Sequence, residues 1–205
     1  MIKTWVMENS SRFWRVWWVV FAAIAILTLS SLFLIDQRFA QVFGAEDMVQ
    51  VWLFHRRITE IGAAEFYFVI AILGLLIKPL RKRATFLLVC LLSSGFFLHV
   101  FKFLVGRCRP HKAPENDPFL FDPFNFHHHW QSFPSGHSQT LFSFATVLAF
   151  LFPRTAPWIF VAALYLAMTR ALTLAHFVSD VFAGAAVGIL VSVLTLRLLV
   201  KKYGS

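Results

Sequence analysis

The sequence has few charged residues for its length. Asp, Glu, Lys and Arg make up 14% of its 205 residues, and only 10 side chains are acidic, whereas about a quarter of the residues of a soluble domain are charged. Hydrophobic residues make up 59% of the chain and include 25 Phe and 7 Trp. This composition excludes an ordinary soluble domain and indicates a protein surrounded by lipid. The length allows one bundle of about six spans of ~20 residues each.

Cysteine is nearly absent, and the sequence also lacks a continuous basic face. Cys90 lies in an apolar run and Cys108 in a polar loop, so no disulfide framework is indicated and both are expected to be free thiols. The net charge of +9 comes mostly from basic residues at the ends of apolar segments, where they fit the membrane surface. We therefore expect no nucleic-acid partner.

Two further features that the sequence lacks are a cleavage site and a metal motif. The first apolar run ends at Asp36 without a pattern of small residues, which predicts a retained first span rather than a signal peptide. Residues 127–129 are three consecutive histidines, but no Cys or carboxylate stands at ligand spacing from them. We therefore expect no metal and no cofactor.

Uncharged runs predict an all-α fold, an integral membrane bundle of six transmembrane helices within a single domain over 1–205. Residues 39–60 mix apolar and charged side chains and predict an interfacial amphipathic helix. Residues 105–133 contain four prolines and predict a long loop, because proline interrupts a helix. The predicted spans are 16–35, 61–77, 84–101, 141–153, 156–169 and 181–196.

The distribution of Lys and Arg predicts the orientation of these spans. With the N-terminus inside, 11 basic residues fall on inner segments and 8 on outer ones, and positive charge favours the inner side. Three of the outer residues, Lys102, Arg109 and Arg170, are candidates for a site, so their removal from the count strengthens the bias. Both termini are then cytoplasmic, and the long loop faces the exterior.

Isolated charges mark the second half of the chain. Asp180 is the only carboxylate side chain after residue 123, and Arg170 is the only basic side chain between Arg154 and Arg197. An ionisable residue at membrane depth is costly and indicates a functional site. The alternative is a salt bridge between Arg170 and Asp180 that merely ties two helices together.

Two histidines accompany these charges. His176 lies four residues before Asp180, so on a helix the two share a face and the carboxylate can accept the imidazole N–H. The other ring nitrogen is then free to attack. His137 falls at the same membrane face. Together with the basic residues Lys102, Arg109 and Arg170, the two histidines predict a site for a phosphate dianion, in which one histidine attacks and the other donates a proton.

The stretch FPSGHSQT opens the fourth predicted span. Pro134 suits the first turn of a helix. Ser135 and Gly136 are expected to leave backbone N–H groups uncovered at the helix N-terminus, which favours an anion, and the Ser135 hydroxyl can also donate. Gly136 allows phosphate to approach the backbone, and His137 is then held beside it.

These residues together resemble the three-part signature of the type 2 phosphatidic acid phosphatase superfamily. The first part, Lys, six residues and Arg-Pro, is KFLVGRCRP, Lys102 to Pro110. The second part, Pro-Ser-Gly-His, is complete at residues 134–137. The third part is TRALTLAHFVSD, Thr169 to Asp180, with Thr169 where the family usually has Ser.

The resemblance implies roles for these positions. His176 would form a phosphohistidine, Asp180 would orient it, and His137 would protonate the leaving oxygen. No metal would be needed, because fixed positive charges stabilise the phosphoryl group. Arg107 lies outside the motif, and the sequence leaves open whether it touches substrate or is solvated. The residues that would bind the phosphoryl oxygens are Lys102, Arg109, Ser135, Gly136 and Arg170.

The resemblance also implies a function. Membrane members of the superfamily hydrolyse lipid phosphates and diphosphates, such as phosphatidic acid, phosphatidylglycerophosphate, undecaprenyl diphosphate, diacylglycerol diphosphate or lipid A phosphate. We therefore expect a multi-pass phosphatase of the plasma (inner) membrane with a phosphorylated lipid as substrate. The alternatives are a phosphotransferase that uses the same histidine, and a non-catalytic lipid-binding or transport protein. The soluble vanadate haloperoxidase branch is disfavoured by the six apolar runs.

Gly184 and Gly188 in the last span stand four residues apart. Small residues at this spacing let two helices approach closely. We expect them to pack the last span against another helix of the bundle, with a dimer face as the alternative.

Overall fold

A computed structural model describes residues 10–45 and 48–203, with side chains over 19–45 and 48–202. Helices dominate this part of the chain, and no strand occurs in it apart from one isolated bridge between Arg107 and Phe121. The α-helices in these ranges are α1 (Ser10–Leu34), α2 (Asp36–Phe43), α3 (Val49–Thr59), α4 (Ala64–Leu76), α5 (Arg81–Val105), α6 (Gly136–Leu151), α7 (Ala156–Leu172) and α8 (Val178–Tyr203).

Four helical stretches in the described ranges are long and apolar enough to cross a membrane: Val49–Leu76, Lys78–Val105, Pro153–Leu172 and Val178–Lys202. The pair Val19–Leu34 and Asp36–Phe43, bent by 62°, adds a fifth if it counts as one span. The all-α membrane fold is thus confirmed. The count of six stays a prediction, and so does the interfacial helix, since α3 continues through a turn into α4.

Helix α6 is short for a span. Its 16 residues extend about 24 Å at 1.5 Å per residue, against a hydrocarbon thickness of about 30 Å. It packs against α5, α7 and α8, and most residues of its first three turns are buried. Helix α6 therefore lies inside the bundle, where its N-terminus can line a site.

Glycines bring α8 against α6. A Cβ on Gly184 would lie 2.3 Å from the carbonyl oxygen of Ser135, and a Cβ on Gly188 would lie 2.4 Å from that of Gln139. Both distances are far below van der Waals contact, so only glycine permits this approach. The packing expected from the Gly184–Gly188 spacing is therefore present within the bundle.

Buried hydroxyl and amide groups link the same helices. Gln139 donates to Ser94 on α5 (2.6 Å), and Ser94 donates in turn to Ser143 (3.2 Å). Ser143 lies 2.7 Å from Ser192 on α8. These buried side chains satisfy one another's hydrogen bonds, and so they fix α5, α6 and α8 relative to one another.

The long loop after α5 begins with a left-handed residue. Gly106 has φ +58, and a Cβ there would lie 1.9 Å from the carbonyl oxygen of Asp122. Glycine is thus required by both conformation and space. Backbone hydrogen bonds then tie the loop to itself, from Asp122 to Gly106 (2.7 Å) and from Cys108 to Leu120 (2.9 Å). Cys90 and Cys108 are both free, buried thiols, as predicted.

Candidate active site

The N-terminus of α6 differs in detail from the prediction. Pro134 precedes the N-cap instead of opening the first turn, and Ser135 is the N-cap, with its hydroxyl accepting from the Ser138 amide (3.4 Å). The amide of Ser135 is not free, because it donates to the backbone carbonyl of Asp180 (2.9 Å). The amides of Gly136 and His137, in the first turn, have no acceptor within the helix. These two amides remain the candidates for an anion.

His137 lies next to the turn between α3 and α4. Its ring carbon Cδ2 is 3.2 Å from the position that a Cβ would occupy on Gly62. Gly62 therefore leaves the space that the half-buried imidazole occupies. The charges of Arg170, Arg109 and Lys102 all act on His137, which places it beside the three basic residues named from the sequence.

His176 lies just before α8 instead of on the helix. The turn from α7 to α8 buries its imidazole, and Nδ1 is 2.7 Å from the backbone carbonyl of Ser132. A carbonyl can only accept, so Nδ1 carries the proton and Nε2 keeps its lone pair. The Asp180 carboxylate is 3.7 Å from Nδ1, too long for a hydrogen bond. The Ser132 carbonyl is therefore the nearer acceptor of the imidazole N–H, and the orienting role of Asp180, which lies beside it, stays a prediction.

Asp180 is fully buried and surrounded by donors. Its Oδ2 accepts from the Ser132 hydroxyl (2.5 Å) and from the Phe177 amide (2.9 Å). Its Oδ1 accepts from the Arg107 guanidinium at 2.5 Å. Asp180 thus reaches His176 through Ser132, a residue for which the sequence carries no signal.

The position of Arg107 differs from two expectations, one about its own surroundings and one about the ion-pair partner of Asp180. It neither faces solvent nor is open to substrate, because its side chain is 1% exposed and donates to Asp180 and Asp36. The alternative ion pair between Arg170 and Asp180 is also wrong, since Arg107 is the ion-pair partner of Asp180. Asp36, which the sequence suggested was only the end of the first span, lies buried at the start of α2.

Lys102 and Arg109 are held by the loop that follows them. Lys102, on the last turn of α5, is buried and donates to the carbonyl of Gln131 (2.5 Å). Arg109 donates through Nε to the carbonyl of His128 (3.1 Å) and through Nη1 to that of Ala175 (3.0 Å). Carbonyls position both side chains without neutralising their charges, so the charges remain available to an anion.

Arg170 comes from the last turn of α7. Its Nη1 donates to the hydroxyl of Thr59 (3.2 Å), which also accepts from Thr169 (3.0 Å). Its Nε is buried without a hydrogen-bond partner among the described residues. This N–H is therefore available to donate to an anion. Thr59 carried no signal in the sequence, because it lies in a segment interpreted as interfacial.

Burial and neighbouring charges act on the pKa values of the two loop residues His176 and Arg109. Burial first, and then Arg109, Lys102 and Arg170, hold the pKa of His176 well below its usual range near 6.5, although Asp180 opposes them. Burial likewise lowers the pKa of Arg109, and Asp180 again opposes the shift. His176 is therefore a neutral imidazole at neutral pH, surrounded by positive charge.

The histidines of the loop form no metal cluster. The rings of His127 and His129 stack with centroids 5.7 Å apart, and all three histidines at 127–129 are exposed. Over residues 10–45 and 48–203, no group of three or more His, Cys, Asp or Glu side chains could hold a metal ion.

The site therefore contains a neutral imidazole with a free Nε2, a second histidine, three basic side chains and two first-turn amides. Such a set can bind a phosphate dianion and offer it both a nucleophile and a proton donor. The residues that the sequence predicted, His176, His137, Asp180, Lys102, Arg109, Ser135, Gly136 and Arg170, all lie in this region.

Curated relatives share part of the sequence. A lipid A 1-phosphatase of Rhizobium johnstonii is 40% identical over 129 residues, 58% of this chain and 53% of the relative. A lipid A 1-phosphatase of Rhizobium etli is also 40% identical over 129 residues, 58% of this chain and 56% of the relative. The chain thus spans about half the length of these relatives.

Solved structures share the fold. The crystal structure of Aquifex aeolicus LpxE superposes with a TM-score of 0.62 at 21% identity, over 80% of this chain and 96% of that one. The first transmembrane PAP2 type phosphatidylglycerolphosphate phosphatase from Bacillus subtilis gives 0.63 at 18% identity, over 89% and 96%. At these identities the likeness concerns the fold alone.

The sequence profile of the PAP2 superfamily matches residues 83–203. This range is more than half of the chain, and it contains every residue predicted for the site. The chain therefore belongs to the PAP2 superfamily, as the motifs from Lys102 to Asp180 predicted.

Proposed function

We propose that the protein is a membrane-embedded lipid phosphatase in which His176 attacks phosphorus. The observation that carries this proposal is the 2.7 Å contact between Nδ1 of His176 and the Ser132 carbonyl. It leaves Nε2 unprotonated, next to three basic side chains. A neutral, oriented imidazole in a positive site is suited to a dianionic phosphate.

The proposed cycle has two steps. Nε2 of His176 bonds to phosphorus as the bond between phosphorus and the lipid oxygen breaks. His137 gives a proton to that oxygen; it carries this proton once the bound phosphate dianion offsets the surrounding positive charges. Water then gives a proton to His137 and attacks the phosphohistidine, which breaks the N–P bond and releases phosphate. Lys102, Arg109 and Arg170 stabilise the charge on the phosphoryl oxygens throughout, in the role that a metal has elsewhere.

The first candidate substrate is a lipid A phosphate. The support is the name lipid A 1-phosphatase, given to relatives that share 40% identity over 129 residues. Phosphatidic acid, phosphatidylglycerophosphate and undecaprenyl diphosphate are the other lipids to compare. We place the site at the outer face of the inner membrane, because fewer basic residues fall on that side of the predicted spans.

A phosphate-release panel with purified protein in EDTA tests the proposal. We expect the wild type to release phosphate from lipid A phosphate faster than from the other lipids, with water as the sole acceptor. His176→Ala should reduce release to background. His99→Ala is the matched control, because His99 is an exposed histidine on α5, and it should retain wild-type turnover.

Three results would contradict parts of this proposal. Turnover by His176→Ala would exclude His176 as the nucleophile. Loss of activity in EDTA that one divalent ion restores would exclude the metal-free mechanism. Phosphate release only when a second lipid is supplied as acceptor would identify a phosphotransferase instead.

A further inference from the structure

Arg107 joins three parts of the chain at a buried point. Its Nη2 donates to Asp36 at the start of α2 (2.9 Å). Its Nη1 donates to Ser179 (2.7 Å) and Asp180 (2.5 Å) at the start of α8. Its Nε donates to the Pro118 carbonyl in the long loop (2.9 Å). Since the guanidinium also lies 4.2 Å from the ring centroid of Phe177, it is enclosed by protein and not open to substrate.

Asp36 completes this cluster from a second helix. Its Oδ1 accepts from the Ser179 amide (3.0 Å), and its Oδ2 accepts from the Ser179 hydroxyl (2.5 Å) as well as from Arg107. Asp36 is 1% exposed and follows the 62° bend between α1 and α2. A buried carboxylate is expensive unless it is paired and hydrogen-bonded, and here each oxygen has donors.

The cluster reaches His176 through Ser132. The backbone carbonyl of Arg107 accepts from the Ser132 amide (3.0 Å). The Arg107 guanidinium holds Oδ1 of Asp180, whose Oδ2 accepts the Ser132 hydroxyl at 2.5 Å. The remaining polar group of Ser132, its carbonyl, holds Nδ1 of His176. Every polar group of Ser132 is thus hydrogen-bonded. Arg107 holds the amide directly and the hydroxyl through Asp180.

We propose that Asp36, Arg107 and Ser179 form a positioning unit for the reaction, which holds Asp180 and Ser132 so that Nε2 of His176 points at the phosphoryl group. This inference rests on the proposed function of His176. None of the three residues touches the substrate. Asp36 matters because it fixes the second arm of the guanidinium, so that Arg107 cannot rotate away from Asp180.

Asp36→Asn tests the positioning unit by changing a residue that does not touch the phosphate. An asparagine can still accept from the Ser179 amide with its oxygen, but its NH2 group then meets the Nη2 donor of Arg107. We expect kcat to fall by about 10-fold or more, because small misplacements of a reacting group are costly, and KM to change by less than about 2-fold. Arg38→Gln is the matched control, since it removes an exposed charge from the same helix.

A second readout does not depend on turnover. In protein labelled with 15N-histidine, the wild-type His176 imidazole should show a single Nδ1–H tautomer, assigned by its loss in His176→Gln. Asp36→Asn should shift or broaden this signal, whereas Arg38→Gln should not. If the wild type releases no phosphate from any lipid, the proposed function fails, while the spectrum of Asp36→Asn still tests the positioning unit.

Ser179→Ala is the second variant, in case Asp36→Asn does not fold. It removes only the hydroxyl that joins Asp36 to Arg107, and it should lower kcat less than Asp36→Asn does, again without changing KM. A purely structural cluster would instead lower the melting temperature and leave both kcat per folded molecule and the His176 signal unchanged. That result in either folded variant would overturn the proposal.

Discussion

The two ring nitrogens of His176 have different tasks. Nδ1 donates to the Ser132 carbonyl. In the neutral ring Nε2 then carries a lone pair, which it would lose if the ring were protonated. Burial and the charges of Arg109, Lys102 and Arg170 lower the pKa of this ring, so protonation is opposed by its surroundings. Burial, together with the positive charges that the phosphate itself requires, therefore keeps this ring neutral.

The pKa of His176 is directly measurable. We expect its 15N signals to remain those of the neutral ring as the pH falls through 6.5, because the folded-state pKa lies below the ordinary value. Arg109→Gln should raise the midpoint toward 6.5, since it removes one opposing charge. A folded-state midpoint at or above 6.5 in the wild type would show that the site is less positive than the geometry indicates.

Contrast with the surrounding sequence explains which site residues were predictable. Arg170, His176 and Asp180 stand out because their neighbours are apolar. Arg107 lies in a loop with other charged residues, such as Arg109 and Lys112, so nothing in the sequence distinguishes a buried guanidinium from a solvated one. Asp36 was equally hidden, because a carboxylate at the end of an apolar run also marks the end of a span.

Helix packing determines where the N-terminus of α6 lies. Gly184 on α8 faces the carbonyl of Ser135, and Gly188 faces that of Gln139, one turn further along α6. The amide of Ser135 also donates to the carbonyl of Asp180. The same contact between α6 and α8 therefore aligns the first-turn amides with the segment that carries His176.

Gly184→Ala should disturb both stability and activity. The new Cβ would lie 2.3 Å from the Ser135 oxygen, so the helices must separate at a cost of about 1–3 kcal/mol. We expect a lower melting temperature in detergent and a lower kcat. Gly188→Ala should lower the melting temperature with a smaller effect on kcat, since Gln139 is farther from the phosphate.

Gly95→Ala is the control for these variants. Gly95 lies within α5, and apart from its chain neighbours and the surrounding helix backbone no atom lies within 4 Å of the position that a Cβ would occupy. Alanine is favoured over glycine in a helix by about 0.5–1 kcal/mol, so this variant should be as stable as the wild type or more so. Equal behaviour of Gly95→Ala and Gly184→Ala would mean that close packing at Gly184 has no role.

The helices themselves were predictable to different degrees. Uncharged runs located α5, α7 and α8 because the middle of each helix is apolar and the charged residues lie toward its ends. The count of spans was harder, since α3 carries Arg56 and Arg57 in its last turn yet continues through a turn into apolar α4. Apolar runs show where lipid contact is favourable, but a bend such as that between α1 and α2 depends on packing, and here also on the buried contacts of Asp36.

At the scale of the whole molecule, the site lies at one end of the bundle. The C-terminal ends of α5 and α7 and the N-terminal ends of α6 and α8 carry the site residues, so all four helices present the same end to it. The turn Pro153–Thr155, which joins α6 to α7, lies at the opposite end. The orientation predicted from Lys and Arg then places the site outside and this turn inside.

Cysteine labelling tests this orientation. Cys90 and Cys108 are buried, so the wild type should react little with a membrane-impermeant maleimide and provides the background. Lys112 in the long loop and Thr155 in the opposite turn are both exposed. Lys112→Cys should be labelled on intact spheroplasts, whereas Thr155→Cys should be labelled only after permeabilisation. Neither substitution removes a positive charge from the inner segments, so the excess of Lys and Arg on the inner side is kept. The reverse pattern would place the site on the cytoplasmic side, where a different pool of lipid phosphates would reach it.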